Sequence, residues 1–422
     1  MMRVFTGRDR EEFLAGRHGK NALMSVSPAC QRSSRPHAYG VPYFDHNATA
    51  PLVPVAREAW LRAQDEAWHN ASSPTRSGAR VRIRLDTARE QLALFLGGDP
   101  KRLVFNSGAT EGANAILAHW AHTLPTGAQV ALNPTEHPCV LEAARAHVGE
   151  ARLTWLPLTR DGLVTVVETQ KMLAAGKISA VAVMAANNET GVLQPWADLA
   201  ALCRRAGAPF LCDATQWLGK LPGSGLGQAG WVIGSAHKFG GPKGVGFLQI
   251  APDADSFPGQ FGGVQENGHR GGTENYPGVA AMLAALNEAE TKKVLRETEH
   301  VRAREKFERA VCAAVPGAAI VGSGRERLWN TVSLLLPHGE NHRWVARMDQ
   351  RNFQVSTGSA CATGKAAPSH VLAALGLAPD AARRVVRVSG GWETTDADWA
   401  ALAEAFAAVA PEVQPAANMA RL

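Results

Sequence analysis

Clustered charge is what this chain of 422 residues most lacks. Its 44 Lys and Arg against 38 Asp and Glu leave a net +6, with no block of five or six like charges. A nucleic-acid binder needs a concentrated basic footprint with stacking aromatics, and three Tyr among dispersed Arg supply neither. A solvated basic surface with one anion-binding site accounts for the excess. Long apolar runs are also missing. The longest, such as 179–186 (SAVAVMAA), have the length of buried strands, far short of the ~18 residues that span a bilayer. Cysteine is sparse: Cys30, Cys139, Cys203, Cys212, Cys312 and Cys361 make no disulfide framework and include no CxxC pair for a structural zinc site. Cys203 and Cys212 sit in apolar surroundings and read as small core residues. The N-terminus has no apolar secretory signal, so a reducing cytoplasm is the expected compartment.

What is present is a globular composition, 45% hydrophobic and 19% charged, with length for two or three domains. Residues 1–40 stand apart. They hold Arg, Pro and Ser with little apolar periodicity and read as a poorly ordered tail. A transit peptide fits poorly because Asp9, Glu11 and Glu12 break the acid-poor rule, and a start at Met24 is the other reading.

From 51 to about 290 the text alternates between helical stretches, such as 76–96, and short apolar runs. The runs are 102–106, 128–132, 152–156, 179–186, 209–212, 231–233 and 244–250. Apolar strands alternating with helices predict an α/β layer, a mostly parallel seven-stranded sheet sandwiched by helices. A helix over about 278–314 leads into strand-like pieces (VSLLLP, FQVST, RVVRVS) and two helices, which suggest a smaller α+β domain. The expected division is a tail (1–40), a large domain (51–290) and a small domain built from 41–50 and 291–422.

Ligands of open α/β sheets bind beyond the carboxyl ends of the strands, and the unusual residues of this chain fall there. The turn NSGATEGAN (106–114) opens a helix and offers free N–H groups to a phosphate, or is an ordinary turn capped by Thr110. His137, between prolines in NPTEHPCV, is poised to lie flat on a ring or to titrate, or is a loop histidine. Asn187 and Asn188 place amides at the end of an apolar run, where a turn is the alternative. Asp213 ends another such run, costly for a carboxylate without a cationic partner such as a protonated heterocyclic nitrogen; a helix cap is the alternative. Lys238, in GSAHKFGGPKGVGFL (234–248), is a lysine among small residues, suited to act as an amine nucleophile towards a carbonyl. Each residue alone has an ordinary explanation. Together, a lysine, a strand-terminal acid, a phosphate turn and a stacking imidazole are the set that pyridoxal phosphate needs. Nucleotide binding fares worse, since neither GxxxxGK[ST] nor GxGxxG after the first strand occurs.

Two further residues lie in the C-terminal part. Cys361 sits in STGSACATG (356–364), a Ser/Gly/Ala/Thr loop that lets a thiol reach a neighbouring site. Arg387 lies inside an apolar strand and needs an anion, either a substrate carboxylate held bidentately or an internal ion pair.

At these residues the chain resembles the cysteine desulfurases, class-V aminotransferase enzymes of the fold-type I pyridoxal-phosphate group. The match runs in order through YFDHNATAP (43–51), NSGATEG, TEHPCVL, NNETGVLQP, DATQWLGKLP, SAHKFGGPKGVG, GGVQENGHRGGTEN (262–275), STGSACATG and VRVSGG. The GSAC loop is similar to the group with the longer cysteine loop. The resemblance implies Lys238 as the Schiff-base lysine, Asp213 on the pyridinium, His137 stacked on the ring and active in catalysis, and Asn188 and Gln216 near the ring hydroxyl. Ala109, Thr110, Ser235 and His237 would cradle the phosphate, with Thr273 from the partner subunit of a homodimer. Arg387, with Asn188, would bind the L-cysteine carboxylate. Cys361 would take the sulfur, leaving alanine and an enzyme persulfide for an acceptor such as an iron–sulfur scaffold, and could itself pass as a transient iron–sulfur ligand. No resident metal is expected. Another class-V reaction, an aminotransferase or selenocysteine lyase, is the alternative. Departures from the family pattern are Thr75 where a His is common, and SGGW (389–392) in place of a Ser-Leu-Gly-Arg pattern.

Overall fold

The computed structural model describes residues 41–358 and 369–414. The tail, with Cys30, and the segment 359–368, with Cys361, lie outside the described residues, as does 415–422.

Two helices come first, α1 (Pro54–Glu66) and α2 (Arg76–Leu96). The Thr75 hydroxyl caps α2 by accepting from Gly78 N at 3.1 Å, and Gly97 closes the helix in the left-handed conformation. The family departure at Thr75 therefore has a local structural task.

The seven apolar runs form one sheet: β1 (Leu103–Asn106), β2 (Val130–Leu132), β3 (Leu153–Trp155), β4 (Ala180–Ala182), β5 (Phe210–Asp213), β6 (Trp231–Ser235) and β7 (Gly246–Gln249). Their order is β1-β7-β6-β5-β4-β2-β3. Strands β6, β5, β4, β2 and β3 pair in parallel, and β7 runs antiparallel to both neighbours. The mostly parallel seven-stranded expectation is met. Between the strands run α3 (Ala109–Thr123), α4 (Pro138–His147), α5 (Val166–Ala174) and α6 (Trp196–Ala206).

Alternate strand residues face opposite layers, as the pleat requires. Leu103, Phe105, Ala131, Val181, Phe210, Cys212, Val232 and Phe247 join the core beneath α2 and α6. Val104, Val130, Leu132, Ala180, Leu211, Ile233 and Leu248 join the core beneath α3 and α4. Burial on both faces is why these strands read as continuous apolar runs. Pairing continues past β4, since Val183 N and Ala185 N donate to Leu211 O and Asp213 O, which explains the length of the run 179–186.

Helix α7 (Tyr276–Ala314), capped by the Asn275 side chain, contributes Met282 and Leu286 to the first core and Phe307 and Val311 to a third. That third core covers an antiparallel sheet of β8 (Ala319–Ile320), β9 (Thr331–Leu335) and β10 (Val385–Ser389), in the order β10-β9-β8. Helices α8 (Asn341–Asp349), α9 (His370–Ala374), α10 (Pro379–Ala382) and α11 (Asp396–Val409) complete the described chain, two more than the sequence suggests because α9 and α10 are single turns. FQVST forms only isolated bridges, Gln354 with Tyr43 and Ser356 with Arg387. No helix among the described residues is long and apolar enough to cross a membrane.

Candidate active site

Four strand ends and one irregular segment build the site. Beyond β1, α3 begins at Ala109 with Gly108 as N-cap at φ 142°, a value open to glycine and strained for other residues. Ala109 N donates to Ser235 Oγ at 2.8 Å, tying this turn to the end of β6. A Cβ on Gly246, the first residue of β7, would meet Gly234 O at 2.3 Å and Gly108 Cα at 2.5 Å, so the turn seats only against a bare backbone. The result is a helix N-terminus whose first-turn N–H groups lack intrahelical acceptors, the chemistry of an anion cup.

Beyond β2, His137 caps α4, its Nδ1 accepting from Cys139 N at 3.1 Å, which leaves the proton on Nε2. Asp213 ends β5 at 4% exposure, and its Oδ1 accepts only a backbone bond, from Thr215 N at 2.9 Å. Lys238 lies on the short turn after β6, half-buried, its Nζ donating to Asn47 O at 2.8 Å and Ala48 O at 2.9 Å. His237 meets Thr49 Oγ1 at 3.1 Å. These residues converge electrostatically as well. Burial lowers the affinity of His137 for a second proton, the Asp213 carboxylate partly offsets this, and Lys238 reinforces it. Burial, then Lys238, brings His237 down to about 4.

The three-stranded sheet contributes Arg387, 2% exposed in mid-strand. Its guanidinium donates to Asn188 O at 3.2 Å, Gly358 O at 3.1 Å and Asp45 Oδ1 at 2.5 Å, while Nε is buried without a partner among the described residues. The internal ion pair open at the sequence level is thus present, and one donor stays unused.

A model of the class-V aminotransferase family matches residues 42–402. An IscS-like cysteine desulfurase of Mycobacterium tuberculosis is 34% identical over 369 residues, covering 84% of this chain and 93% of the relative. A cysteine desulfurase of Klebsiella pneumoniae is 34% identical over 361 residues, covering 82% and 87%. The chain belongs to the cysteine desulfurases of the class-V aminotransferase family. Among solved structures, a NifS-like protein superposes with a TM-score of 0.80 at 28% identity, covering 88% of this desulfurase and 100% of that chain. A structure titled SspA in complex with cysteine superposes with a TM-score of 0.71 at 27% identity, covering 82% and 98%.

Within the candidate site, Asn188, Gln216, Lys238 and Arg387 are joined directly or through Asn47, His137, Asp213, His237 and Lys238 act on one another electrostatically, and Ala109 is bonded to Ser235. Thr110 joins them by a hydrogen bond with the Cys139 thiol. Thr273 is exposed, and no hydrogen bond among the described residues ties its side chain to the cup. Gln216 faces inward but has both amide ends engaged, Nε2 with Asn47 O at 2.9 Å and Oε1 with Lys220 Nζ at 2.6 Å.

Sequence reasoning gave no role to Asp45 or Asn47, although both lie in the quoted YFDHNATAP. Asn47 is the hub: its carbonyl receives Lys238 and Gln216, its Nδ2 donates to Asn188 O at 3.1 Å and Thr331 Oγ1 at 2.8 Å, and its Oδ1 accepts from Asn330 at 3.2 Å. A polar segment with no regular structure gives no periodic signal, so only its run of Asp, His, Asn and Thr could have marked it. Glu136 and Glu189 were missed too. Burial raises the pKa of both, and Glu189 accepts from Ser369 Oγ at 2.7 Å beside Gly358, so both residues flanking 359–368 adjoin it.

Proposed function

We propose that this desulfurase holds pyridoxal phosphate on Lys238 and uses Cys361 to take sulfur from L-cysteine, giving alanine and an enzyme persulfide. One observation carries the reading. Lys238 Nζ, the buried strand-terminal Asp213 and the His137 ring meet beyond the same strand ends as a helix N-terminus able to bind phosphate. The residues fit the cofactor. Among the described residues Asp213 has only a backbone partner for Oδ1, Thr215 Oγ1 beside it is buried and unpartnered, and the first-turn N–H groups of α3 that follow Ala109 have no intrahelical acceptor. When bound, the cofactor supplies an electron sink for the substrate carbon.

The remaining steps belong to the chain. Asp213 would face the ring nitrogen and favour its protonated form, with His137 and Asn188 as the residues that would hold the ring. Ala109, Thr110, Ser235 and His237 would hold the phosphate. Lys238 would hold the cofactor and, with its amine free, would move the substrate proton. Arg387, with its unused Nε, binds the carboxylate and exchanges part of its contact with Asp45 for it. The Cys361 thiolate bonds the substrate sulfur as the carbon–sulfur bond breaks; the electron pair stays on carbon and takes a proton to form alanine. Cys139, Cys203 and Cys212 do not compete for this role, because burial raises their thiol pKa values and keeps them protonated.

The reading extends to a homodimer in which Thr273 completes the partner's cup. Phe261 and Val264, 89% and 88% exposed, stand in the same segment, an apolar surface suited to burial between subunits. The division into large and small domains, a cytoplasmic location with reduced thiols, and an acceptor such as an iron–sulfur scaffold complete the proposal. Incubating the purified protein with L-cysteine tests it. Equimolar alanine and persulfide are expected, with persulfide mapped to Cys361. Turnover unchanged in Cys361→Ala would refute the sulfur-transfer step.

A further inference from the structure

The site holds a second lysine that the proposed chemistry does not use. Lys220 is 4% exposed, and among the described residues it has no carboxylate partner. A buried ammonium without a counter-ion is costly and needs a reason. Its Nζ donates to Gln216 O at 3.2 Å and Gln216 Oε1 at 2.6 Å. Gln216 Nε2 donates to Asn47 O at 2.9 Å, and that same oxygen receives Lys238 Nζ at 2.8 Å. Three hydrogen bonds therefore join the two lysines without a break.

The turn carrying Lys220 is clamped from the opposite side. Trp329 Nε1 donates to Lys220 O at 3.1 Å, and Trp392 Nε1 donates to Gly219 O at 2.9 Å. The indole centroids lie 4.0 Å apart, and His300 of α7 packs against both rings. Gly219, at φ 71°, has no room for a Cβ, which would lie 2.3 Å from Phe239 Cβ. Trp392 stands where the family pattern has Arg, and here its indole holds the turn that carries Lys220. Burial brings the Lys220 ammonium down to about 7, with Lys238 on the turn after β6 and Arg387 on β10 acting the same way. Arg387 is paired with Asp45, and His300 has Arg296, Glu299 and Asp396 around it.

We propose that Lys220 is a positioning residue that tunes the proton on Lys238, by fixing Gln216 and Asn47 and by competing with a positive charge at the Lys238 nitrogen. The inference rests on the reading of Lys238 as the cofactor lysine. Two like charges linked over this short, water-poor path shift one another by about one pH unit.

The test is a pH titration of the bound cofactor's visible absorbance in purified holoenzyme, wild type beside Lys220→Met and Lys220→Arg. The midpoint is expected about one unit higher in Lys220→Met, where the competing charge is gone, and lower in Lys220→Arg, where it is permanent. Trp392→Phe removes one clamp, solvates Lys220 and lets it keep its proton, so it too lowers the midpoint; it also serves as the reading if a Lys220 variant fails to fold. Coincident midpoints in folded, loaded variants would overturn the inference alone, whatever happens to thermal stability. An absorbance band that survives Lys238→Ala would overturn the cofactor reading and this inference with it.

Discussion

The two sheets carry their chemistry in different places. The seven-stranded sheet presents Asp213 and Ser235 at strand ends and His137, Ala109 and Lys238 on the turns just beyond. The three-stranded sheet presents Arg387 from the middle of β10, at 2% exposure. At a strand end a polar group can face a ligand without interrupting the core. In mid-strand a charge must be neutralised where it stands. Asp45 does this, and it comes from a segment 342 residues away in the chain. The first arrangement is local and open to a ligand; the second is non-local and already satisfied in part.

This contrast can be broken most severely at Lys238. Lys238→Ala is expected to lower turnover of L-cysteine by at least roughly 10³-fold and to remove the cofactor absorbance, since it deletes the proposed attachment point and base together. Alanine formation at the wild-type rate would show that the sheet edge is not the site. Next comes Asp213→Asn. Its oxygen has only a backbone partner, so unfolding free energy should change by less than about 1 kcal/mol, while turnover falls by roughly 10²–10⁴-fold. Denaturant titration and steady-state kinetics on the same preparation separate the two effects.

Asp45→Asn should behave in the opposite way. It leaves Arg387 buried without its anion and should cost about 1.5–3 kcal/mol in urea unfolding, the range for a bond to a charged group. A stability equal to wild type would mean that Arg387 does not depend on the pair, and would dissolve the contrast between the sheets. The smallest effect lies at His300, behind the tryptophan wall. Burial brings its pKa to about 4. The unfolded chain therefore binds a proton near pH 6.5 that the folded one refuses, and His300 weakens the fold progressively as pH falls from about 6.5 towards 4. His300→Phe should thus gain melting temperature relative to wild type across that window and show no such trend above it.

The large sheet was legible because, apart from the half-exposed edge strand β3, both faces of its strands are buried. Every strand reads as an apolar run, and the runs place all seven strands in the chain. Helix α2 was found over its full length, since Thr75 and Gly97 mark its ends chemically. Helix α7 begins two residues ahead of the expected 278, because Asn275 and Pro277 start it before its apolar pattern does. The short helices α9 and α10 carried no period to read. The candidate site residues stood out where polar residues interrupt apolar text, as at Asp213 and Arg387. Lys220 stood in the quoted DATQWLGKLP without a role, because only the folded turn shows that it is buried and faces Gln216.

By itself, the sequence determined where the strands lie and which residue types stand at each strand end, because alternation, burial and turn chemistry are written locally, while its motifs carried the resemblance to the family. Tertiary structure alone decided that Asn47 is the hub, that Asp45 answers Arg387, and that Lys220 is linked to Lys238. Those pairings join residues far apart in the chain, and their energy comes from removing charge and amide groups from water together, which no local pattern records.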